Sequence, residues 1–590
     1  MTMQWDLTGI YPGFSDHPFK TDMKRLGQSL DLLEQFSPAD CQDSETAVEK
    51  YLTLLADYKT IYSKLMAYTY LKASNNSRDE EAFKVFENLE KTSARLTEPQ
   101  VRFRRWIKTV KDKSELVNKT ELLKEHSFYL AQEIDKSRYL LSEKEEAIAA
   151  ELKRTGSGAW SKLQQKLTST LPVKVEVDGQ EKILPLPEVR NLAYSKDSRA
   201  RKNGFEAELE AYKLIEEPVA AALNGIKGEV ITLSEKRGFY SPLEETLFNT
   251  RMEMETLHSM HEAIVDFLPE YHDYYRFKAR LLGEMDTLPF YDLYAPVGKT
   301  DIRFSYDEAK DFILEKISAF SPEMGSLYKI AFEKNWIDSD PRDGKSGGAF
   351  CYSIKPLEES RILLNFTGSF TDMTTLAHEL GHAYHAYCLK SEGILNSDYP
   401  LPLAETASIF SETVICKAAL EESTGDEALT ILENRISEAG QYIVEIYSRF
   451  IFEDNLFKAR KESVLSVQDL NSMMSEAQQQ VYGNSLHEDY YHPYMWLAKP
   501  HYYEVEENYY NFPYAFGLLF ALGLYRLSLE KGKSFLEDYK KLLRISGQNS
   551  ISEAAKSVGI NVNSTDFWNA SLDLIRKDIQ KFMQIASSHP

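Results

Sequence analysis

Three histidines and a glutamate stand close together in residues 374–387, which read TTLAHELGHAYHAY. His378 and His382 are four residues apart, so on a helix their imidazoles project from the same face. Glu379 follows His378 at an angular offset of about 100° and can reach a water on a metal ion without being a ligand itself. Two zinc ligands and a general base in the pattern H-E-x-x-H activate a water to attack a carbonyl. The segment therefore predicts a hydrolytic zinc site.

The third histidine of the segment, His385, lies three residues past His382 and a turn further along the helix. The metzincin pattern H-E-x-x-H-x-x-G-x-x-H requires a glycine and a histidine where this chain has His385 and Cys388. That pattern is excluded, because without the glycine the helix continues and carries Cys388 away from the metal. Two interpretations of His385 stay open, a contact with substrate or with a metal ligand, and a buried histidine with a structural role.

A catalytic zinc ion takes three protein ligands and a water, so one ligand must come from outside the histidine segment. Glu405 and Glu412 are seven residues apart in a second helical segment, on one face and among apolar neighbours. A carboxylate on an apolar face is unfavourable unless it is paired or binds a metal. We predict Glu405 as the third ligand and Glu412 as the acceptor of the second N–H of a ligand histidine. A salt bridge unrelated to the metal is the alternative for Glu412.

The histidines need a helix, and the sequence contains a signal for its start. Ser369 and Asp372 have the spacing of a capping box in front of an apolar run, which predicts a helix over residues 371–389. Most of the remaining chain also carries apolar residues at helical spacing among glutamates and lysines. The sequence therefore predicts a mainly α protein.

A small β element precedes the predicted helix. The run SRILLNF at residues 360–366 is typical of a strand, and Gly347 and Gly348 stand in the loop before it. An exposed strand edge can pair with an extended peptide through main-chain hydrogen bonds, and glycines let the backbone approach a ligand closely. We therefore predict that this region binds substrate, with an ordinary buried strand after a flexible loop as the alternative.

Alternating valines between residues 173 and 177 and the dipeptide Asp178-Gly179 predict a short β-hairpin near residues 173–184. Prolines end the alternation, and helical spacing then resumes. We place a domain boundary after this hairpin. An N-terminal helical domain then covers residues 1–195, and a catalytic domain covers residues 196–590.

The composition narrows the class of protein. With 590 residues, 43% of them hydrophobic and 27% charged, the chain is typical of a soluble globular protein with more than one core. Its net charge of −22 argues against nucleic-acid partners and against an anionic membrane surface.

Four cysteines without a C-x-x-C pair fit a reducing compartment. The N-terminus lacks signal-peptide features, and the most apolar stretch, residues 514–525, is too short to span a bilayer. We predict a cytoplasmic protein and leave its oligomeric state open.

Three segments together resemble one family. They are HELGH at 378–382, AETASIFSE at 404–412 and WDLTGIYP at 5–12. They are similar to the zinc metallo-oligopeptidases that include thimet oligopeptidase and, nearest to this chain, bacterial oligoendopeptidase F. The pattern HExxH followed by E-x6-E is much more specific than HExxH alone. The resemblance implies a two-lobed helical molecule with a deep substrate channel, one Zn2+ ion and endopeptidase action on short unstructured oligopeptides.

An aromatic stretch, residues 487–517, contains eight of the chain's 35 tyrosines and three of its 12 histidines. A packing segment is one interpretation. The resemblance implies instead that a histidine and tyrosines of this region stabilise the oxyanion of the reaction. His501 and Tyr514 match the family by position. The resemblance also implies Tyr510 as a further donor and Tyr503 as a substrate contact. At these two positions the spacing of the tyrosines departs from that of thimet oligopeptidase.

Two other functions remain open from the sequence. A zinc carboxypeptidase on a similar helical fold shares the HExGH helix, but it needs a basic residue to fix the C-terminal carboxylate of the peptide. A catalytically idle peptide-binding protein on the same scaffold has no need of the general base, so the intact Glu379 argues against it.

Overall fold

Helices make up 73% of the protein in the computed structural model, which describes residues 4–284, 286–298 and 302–588. The prediction of a mainly α fold is confirmed. Two hydrophobic cores organise the described residues, one built by the N-terminal helices and one by most of the remaining chain. These cores correspond to the two lobes that the resemblance implies.

The smaller core is built by the first seven helices, whose apolar faces meet there. Asp43 starts the longest of them by accepting a hydrogen bond from the backbone N–H of Thr46 at 2.8 Å. On the same helix Tyr51 stacks on Phe103 with ring centroids 3.6 Å apart. The bounds of these helices are α1 (His17–Gln35), α2 (Ser44–Asn75), α3 (Glu80–Ala94), α4 (Thr97–Thr109), α5 (Lys113–Leu116), α6 (Glu121–Glu125) and α7 (Ser127–Lys136).

The larger core extends from Leu171 to Ala586. The helices that lead up to its central sheet are α8 (Glu143–Thr155), α9 (Ser157–Ser169), α10 (Leu186–Asn191), α11 (Ser198–Tyr212), α12 (Glu216–Arg237), α13 (Pro242–Asn249), α14 (Met254–Leu281), α15 (Tyr306–Phe320) and α16 (Pro322–Glu333). The helices after the sheet are α17 (Phe370–Cys388), α18 (Leu401–Ala404), α19 (Thr406–Glu422), α20 (Gly425–Gly440), α21 (Ile446–Glu462), α22 (Val467–Tyr482), α23 (Met495–Ala498), α24 (Phe512–Lys531), α25 (Phe535–Ile545), α26 (Ile551–Lys556) and α27 (Thr565–Ser588).

A two-stranded hairpin forms where the sequence predicts one. Strands β1 (Pro172–Val177) and β2 (Gln180–Pro185) are antiparallel. Asp178 and Gly179 have φ values of 55° and 72°. A two-residue hairpin turn of type I′ requires positive φ at both central residues. The valines of β1 pack into the larger core, not against the N-terminal helices. The hairpin therefore packs with the later helices, and the domain boundary after residue 195 stays a prediction.

A three-stranded sheet joins the two cores. Its strands are β3 (Ile337–Asp338), β4 (Phe350–Ile354) and β5 (Glu359–Leu363), in the order β3-β5-β4. Successive side chains of a strand point to opposite faces. Ile362 accordingly packs in the larger core and Leu363 in the smaller one. The strand before the histidine helix is therefore held from both sides.

The exposed edge of this sheet is not where the sequence analysis placed it. Residues 360–363 of this run belong to the central strand β5, which pairs with β3 on one side and β4 on the other. Four successive buried residues explain the position, because a strand covered on both faces belongs inside a sheet. Within the described residues β3 and β4 each pair on one side only, and β4, which follows Gly347 and Gly348, has the longer free edge.

One helical segment of the described residues, Phe512–Gln548, is long and apolar enough to cross a membrane by length and composition, with a mean hydropathy of 1.4 in its most apolar window. It extends beyond the stretch 514–525 that the sequence analysis considered. In the structure 72% of that window is buried inside the protein. Its first helix, α24, packs against α19 and α27, so its apolar residues belong to the larger core.

Candidate active site

The helix that carries the histidines begins at a complete capping box. Ser369 Oγ accepts a hydrogen bond from the backbone N–H of Asp372 at 3.1 Å, and Asp372 Oδ2 accepts one from the backbone N–H of Ser369 at 3.0 Å. Asp372 also accepts from the backbone N–H of Thr367 at 2.8 Å. Helix α17 therefore starts within one residue of the predicted position, and this prediction is confirmed.

Two glycines create the space that the third predicted ligand occupies. A Cβ atom on Gly381 would lie 2.4 Å from the carbonyl oxygen of Ala407, so glycine lets α17 and α19 approach each other closely. On α24, a Cβ atom on Gly517 would lie 2.8 Å from the Cβ of Glu405. Glu405, at the junction of α18 and α19, is thus enclosed between two helices that could not otherwise come so near.

The structure brings His378, His382 and Glu405 together. Glu405 Oε2 lies 3.2 Å from His378 Nε2 and 3.5 Å from His382 Nε2. One donor atom from each of the three residues lies within 4.8 Å of the others. Ser408 Oγ donates to Glu405 Oε2 at 2.9 Å and orients the carboxylate. All three side chains are half-buried.

The chemistry of this group fits a zinc ion. Two imidazole nitrogens and one carboxylate oxygen are a donor set that catalytic zinc sites use. Glu379 is 5% exposed, and its Oε2 has no hydrogen-bond partner among the described residues. A buried oxygen without a partner is unfavourable in a folded protein unless a ligand or water completes it. Burial also raises the pKa of Glu379 to about 7.

Burial and neighbouring charges shift the pKa values of the two histidines in opposite directions. His378 Nδ1 lies 3.2 Å from Glu412 Oε2, which is the contact predicted for Glu412. Burial opposes a charge on His378, yet its hydrogen bonds to Glu405 and Glu412 raise its pKa well above the usual value. Burial and the neighbouring charge of His378 lower the pKa of His382 to about 4. Although burial disfavours its charge, contacts with the two imidazoles lower the pKa of Glu405 to about 2.

Three of the predicted oxyanion donors form one aromatic cluster. The ring centroids of His501 and Tyr510 lie 5.0 Å apart, those of Tyr510 and Tyr514 5.8 Å, and those of His501 and Tyr514 6.1 Å. Tyr514 is in the first turn of α24, one turn before Gly517, which contacts Glu405. The cluster is thereby next to the ligand group. Burial first, and the charge of Glu405 among other causes, raises the pKa of Tyr514.

Two predicted substrate contacts are directed away from the group. His385 is fully buried, its Nε2 lies 2.9 Å from Ser546 Oγ, and its ring stacks on Tyr399 with centroids 4.1 Å apart. The structure therefore favours the structural interpretation of His385. Tyr503 is 1% exposed, because its 3₁₀ turn directs residues 502 and 503 inward while His501 remains half-exposed. In this structure the protein encloses the Tyr503 phenol, so the ring has no open face for the predicted substrate contact.

The two predicted loop glycines remain accessible. A Cβ atom on Gly347 or on Gly348 would meet no atom within 4 Å, and both residues are exposed. Asn365 Nδ2 holds the loop by donating to the carbonyl oxygens of Ser346 at 3.0 Å and Gly348 at 3.3 Å. Open space around the backbone is the condition for the peptide contact that the sequence analysis predicts here.

A charged face on α21 and the π-helical turn before it was not predicted from the sequence. Glu445, Arg449 and Glu453 are four residues apart, and each is at most 5% exposed. Each of the three has a hydrogen-bond partner in the aromatic stretch, namely Lys499 for Glu445, His501 for Arg449, and Tyr509 and Asn511 for Glu453. Tyr294 also donates to Glu445, and Lys227 donates to Glu453. Charged residues at helical spacing in the apolar run IVEIYSRFIFEDNL are a signal that could have found them.

Comparisons with known proteins give the family. The family model of peptidase family M3 matches residues 191–574, and a family model described as oligopeptidase F matches residues 111–172. The chain belongs to peptidase family M3. The predicted resemblance and the predicted class of enzyme, a metallo-oligopeptidase, are confirmed.

Similarity to known proteins covers nearly the whole chain. This chain is 26% identical to the oligoendopeptidase F homolog of Lactococcus lactis subsp. lactis (strain IL1403), over 99% of this chain and 97% of the relative. It is 24% identical to the oligopeptidase PepF of Bacillus subtilis (strain 168), over 98% of this chain and 87% of the relative. The crystal structure of oligoendopeptidase-F from Enterococcus faecium has a similar fold, with a TM-score of 0.72, 18% identity and coverage of 98% and 100% of the two chains.

We expect Gly381→Ala to lower both stability and metal content. The added methyl group meets the backbone of α19, which cannot turn aside as a side chain can. Overpacking of this kind costs about 1–3 kcal/mol or more. Thermal unfolding and metal analysis measure the two effects. Gly27→Ala is the control, because a Cβ atom there meets nothing within 4 Å. Wild-type stability and metal content in Gly381→Ala would contradict the close-packing argument.

Glu405 and Glu412 are expected to differ in what their loss removes. Glu405→Ala loses a donor atom of the group and should purify without metal. Glu412→Ala loses only the contact to His378 Nδ1 and should bind metal about 10–100-fold more weakly. Metal content after dialysis against increasing chelator separates the two cases. A metal-free Glu412→Ala beside a loaded Glu405→Ala would reverse the assignment.

Proposed function

We propose that the protein is a zinc-dependent endopeptidase that holds one Zn2+ ion and cleaves short, unstructured oligopeptides. The observation that carries this proposal is the donor group of His378, His382 and Glu405, whose ligating atoms lie within 4.8 Å of one another. The buried, unpartnered carboxylate oxygen of Glu379 stands beside it as the base. The printed names of the relatives, oligoendopeptidase F and oligopeptidase PepF, support the same activity.

The proposed reaction divides the chemistry between the ion and the protein. When bound, the ion acts as a Lewis acid on the peptide carbonyl and on the attacking water. Glu379 takes the proton of that water and passes it to the leaving amine nitrogen. Glu412 accepts a hydrogen bond from the Nδ1–H of His378, which leaves the lone pair of Nε2 free to bind the metal. Each step uses a side chain that the fold holds within reach of the donor group.

The negative charge that develops on the carbonyl oxygen needs hydrogen-bond donors. We propose Tyr514 and His501 for this task, with Tyr510 as a further donor in the same cluster. The position of Tyr514 one turn before Gly517, next to Glu405, supports its assignment. Donors of this kind act mainly on the transition state, because the ground-state carbonyl carries less charge.

Substrate orientation is assigned to the sheet. The one-sided pairing of β4 within the described chain supports the addition of an extended peptide to this strand through main-chain hydrogen bonds. Gly347 and Gly348 at its start leave room for the peptide backbone. We propose oligopeptides as the only class of partner, without nucleic acid or membrane, and a cytoplasmic location. The net charge of −22 and four free cysteines support these assignments.

A peptide blocked at both ends tests the proposed function directly. An endopeptidase cleaves an acetylated and amidated peptide at an internal bond, whereas a carboxypeptidase needs a free C-terminus. We expect internal cleavage by mass spectrometry, loss of activity with chelator and recovery with Zn2+. Glu379→Gln should retain zinc and lose turnover, because the amide keeps the shape of the side chain but cannot take a proton.

Three results would contradict the proposal. Stepwise loss of residues from a free C-terminus, with the blocked peptide intact, would identify a carboxypeptidase. Binding of the peptide without turnover in the zinc-loaded wild type would identify a peptide-binding protein. Wild-type turnover in a zinc-loaded Glu379→Gln would show that another group takes the proton.

Tyr514→Phe is expected to lower kcat with little change in KM. It removes the hydroxyl and keeps the ring packed in its cluster. One lost oxyanion donor costs roughly 10²–10³ in kcat. Tyr509→Phe is the matched control, because the Tyr509 hydroxyl instead donates to Asp454 at 3.1 Å. If Tyr514→Phe turned over at the wild-type rate while Tyr510→Phe did not, the task would belong to Tyr510.

A further inference from the structure

Arg449 is a buried cation that forms no ion pair with the carboxylates around it. It is 4% exposed, and no carboxylate of the described residues lies within salt-bridge distance of it. Glu445, one turn earlier on the same face, is engaged with Lys499 at 2.9 Å and with Tyr294. Glu453, one turn later, is engaged with other partners as well. Burial of a guanidinium without an ion-pair partner is expensive, and Glu445 and Glu453 offset its charge only from beyond ion-pair distance. We therefore expect this position to serve a purpose besides stability.

The hydrogen bond between Arg449 and His501 determines the tautomer of the His501 ring. Arg449 Nη2 lies 2.6 Å from His501 Nδ1. A guanidinium group can only donate, so Nδ1 must accept and therefore carries a lone pair. In a neutral imidazole the single ring proton then sits on Nε2. Because Nδ1 faces α21, the Nε2–H bond points away from that helix.

The charges that surround His501 keep its ring neutral. Burial lowers the pKa of His501 to about 4, and the positive charges of Arg449 and Lys499 act in the same direction. The other groups that face the ring are the phenols of Tyr510 and Tyr514. No carboxylate of the described residues pairs with His501 to favour its protonated form.

We propose that Arg449 is a positioning residue that holds His501 in the Nε2–H tautomer, so that this ring donates a hydrogen bond to the oxyanion. In the opposite tautomer Nε2 would carry a lone pair and would repel the developing negative charge. The inference rests on the proposed function for its catalytic consequence, although the tautomer itself is a property of the protein alone.

The neighbours of Arg449 make it a rigid support. Glu445, in the π-helical turn before α21, and Glu453, on α21, flank it. They bind Lys499 and Asn511, on either side of His501 in sequence. Both hydrogen bonds measure 2.9 Å. The segment that carries His501 is therefore attached to the same helix face at three consecutive turns, with Arg449 at the centre. A donor fixed in this way needs no rearrangement when the oxyanion forms.

Nuclear magnetic resonance of the histidine ring nitrogens tests the tautomer without any peptidase assay. The zinc-loaded protein is labelled with 15N in histidine, and His501→Gln identifies the His501 signals by their loss. We expect a neutral ring with its proton on Nε2 in the wild type. Arg449→Met should release the tautomer and move the titration of His501 toward its ordinary pKa of about 6.5. A wild-type ring protonated on Nδ1, or an Arg449→Met spectrum equal to the wild type, would overturn the proposal.

A double-mutant comparison tests the catalytic consequence. Arg449→Met should lower kcat by at least about 10-fold, with little change in KM. The loss should not exceed the roughly 10²–10³-fold that a lost oxyanion donor costs. In a His501→Gln background the same substitution should cause no further loss. An equal loss in both backgrounds would show that Arg449 acts independently of His501 and would overturn the proposal.

Two further variants guard against an effect on folding. Arg104→Met removes a guanidinium that pairs with Glu133 at 2.7 Å among the N-terminal helices, and it should leave kcat unchanged. Arg449→Lys keeps a charged group that can only donate a hydrogen bond, so it should preserve the tautomer. If Arg449→Met does not fold, a ring protonated on Nδ1 in folded Arg449→Lys would overturn the proposal. If the zinc-loaded wild type did not cleave peptide, the proposed function would fail. The resonance result would still decide the tautomer of His501.

Discussion

The close approach of α17 and α19 at Gly381 is the constraint on which the site depends. A side chain at this position would meet the backbone of the facing helix at 2.4 Å, so only glycine allows the two axes to come so near. Because α19 begins immediately after Glu405, the approach of the helices brings this carboxylate to His378 and His382. The H-E-x-x-H pattern brings two of the candidate donor residues together by its own periodicity, but helix packing brings in the third.

A second set of contacts supports the reacting groups that lie far along the chain from the histidines. The aromatic stretch after α22 has little regular structure of its own, and its short turns could not hold donors by themselves. Glu445, Arg449 and Glu453 of one buried helix face hold it at successive turns. Lys227, which is fully buried, pairs with Glu453 at 2.8 Å and ties this face to α12. Buried charges are retained here although apolar residues would be less costly, which is expected where position matters more than stability.

Local patterns predicted what local physics determines. The capping box at Ser369, the hairpin turn at Asp178-Gly179 and the shared face of the two ligand histidines all follow from short-range geometry, and the structure contains each of them. The inward direction of Tyr503 and the central position of β5 depend on which faces other elements cover, which no single segment encodes. The contact between Arg449 and His501, separated by 52 residues, was invisible for the same reason.

Electrostatic balance links the metal group to folding. Glu379, Glu405 and Glu412 bring three carboxyl groups around the imidazoles of His378 and His382 in a region with little exposure to water. Burial already raises the pKa of Glu379 to about 7, which shows how unfavourable a further negative charge is there. A divalent cation at the donor atoms would offset this charge and relieve the same penalty. Metal binding and stability are therefore coupled, because the acidic groups that make the ion-free fold less favourable are those that attract the ion.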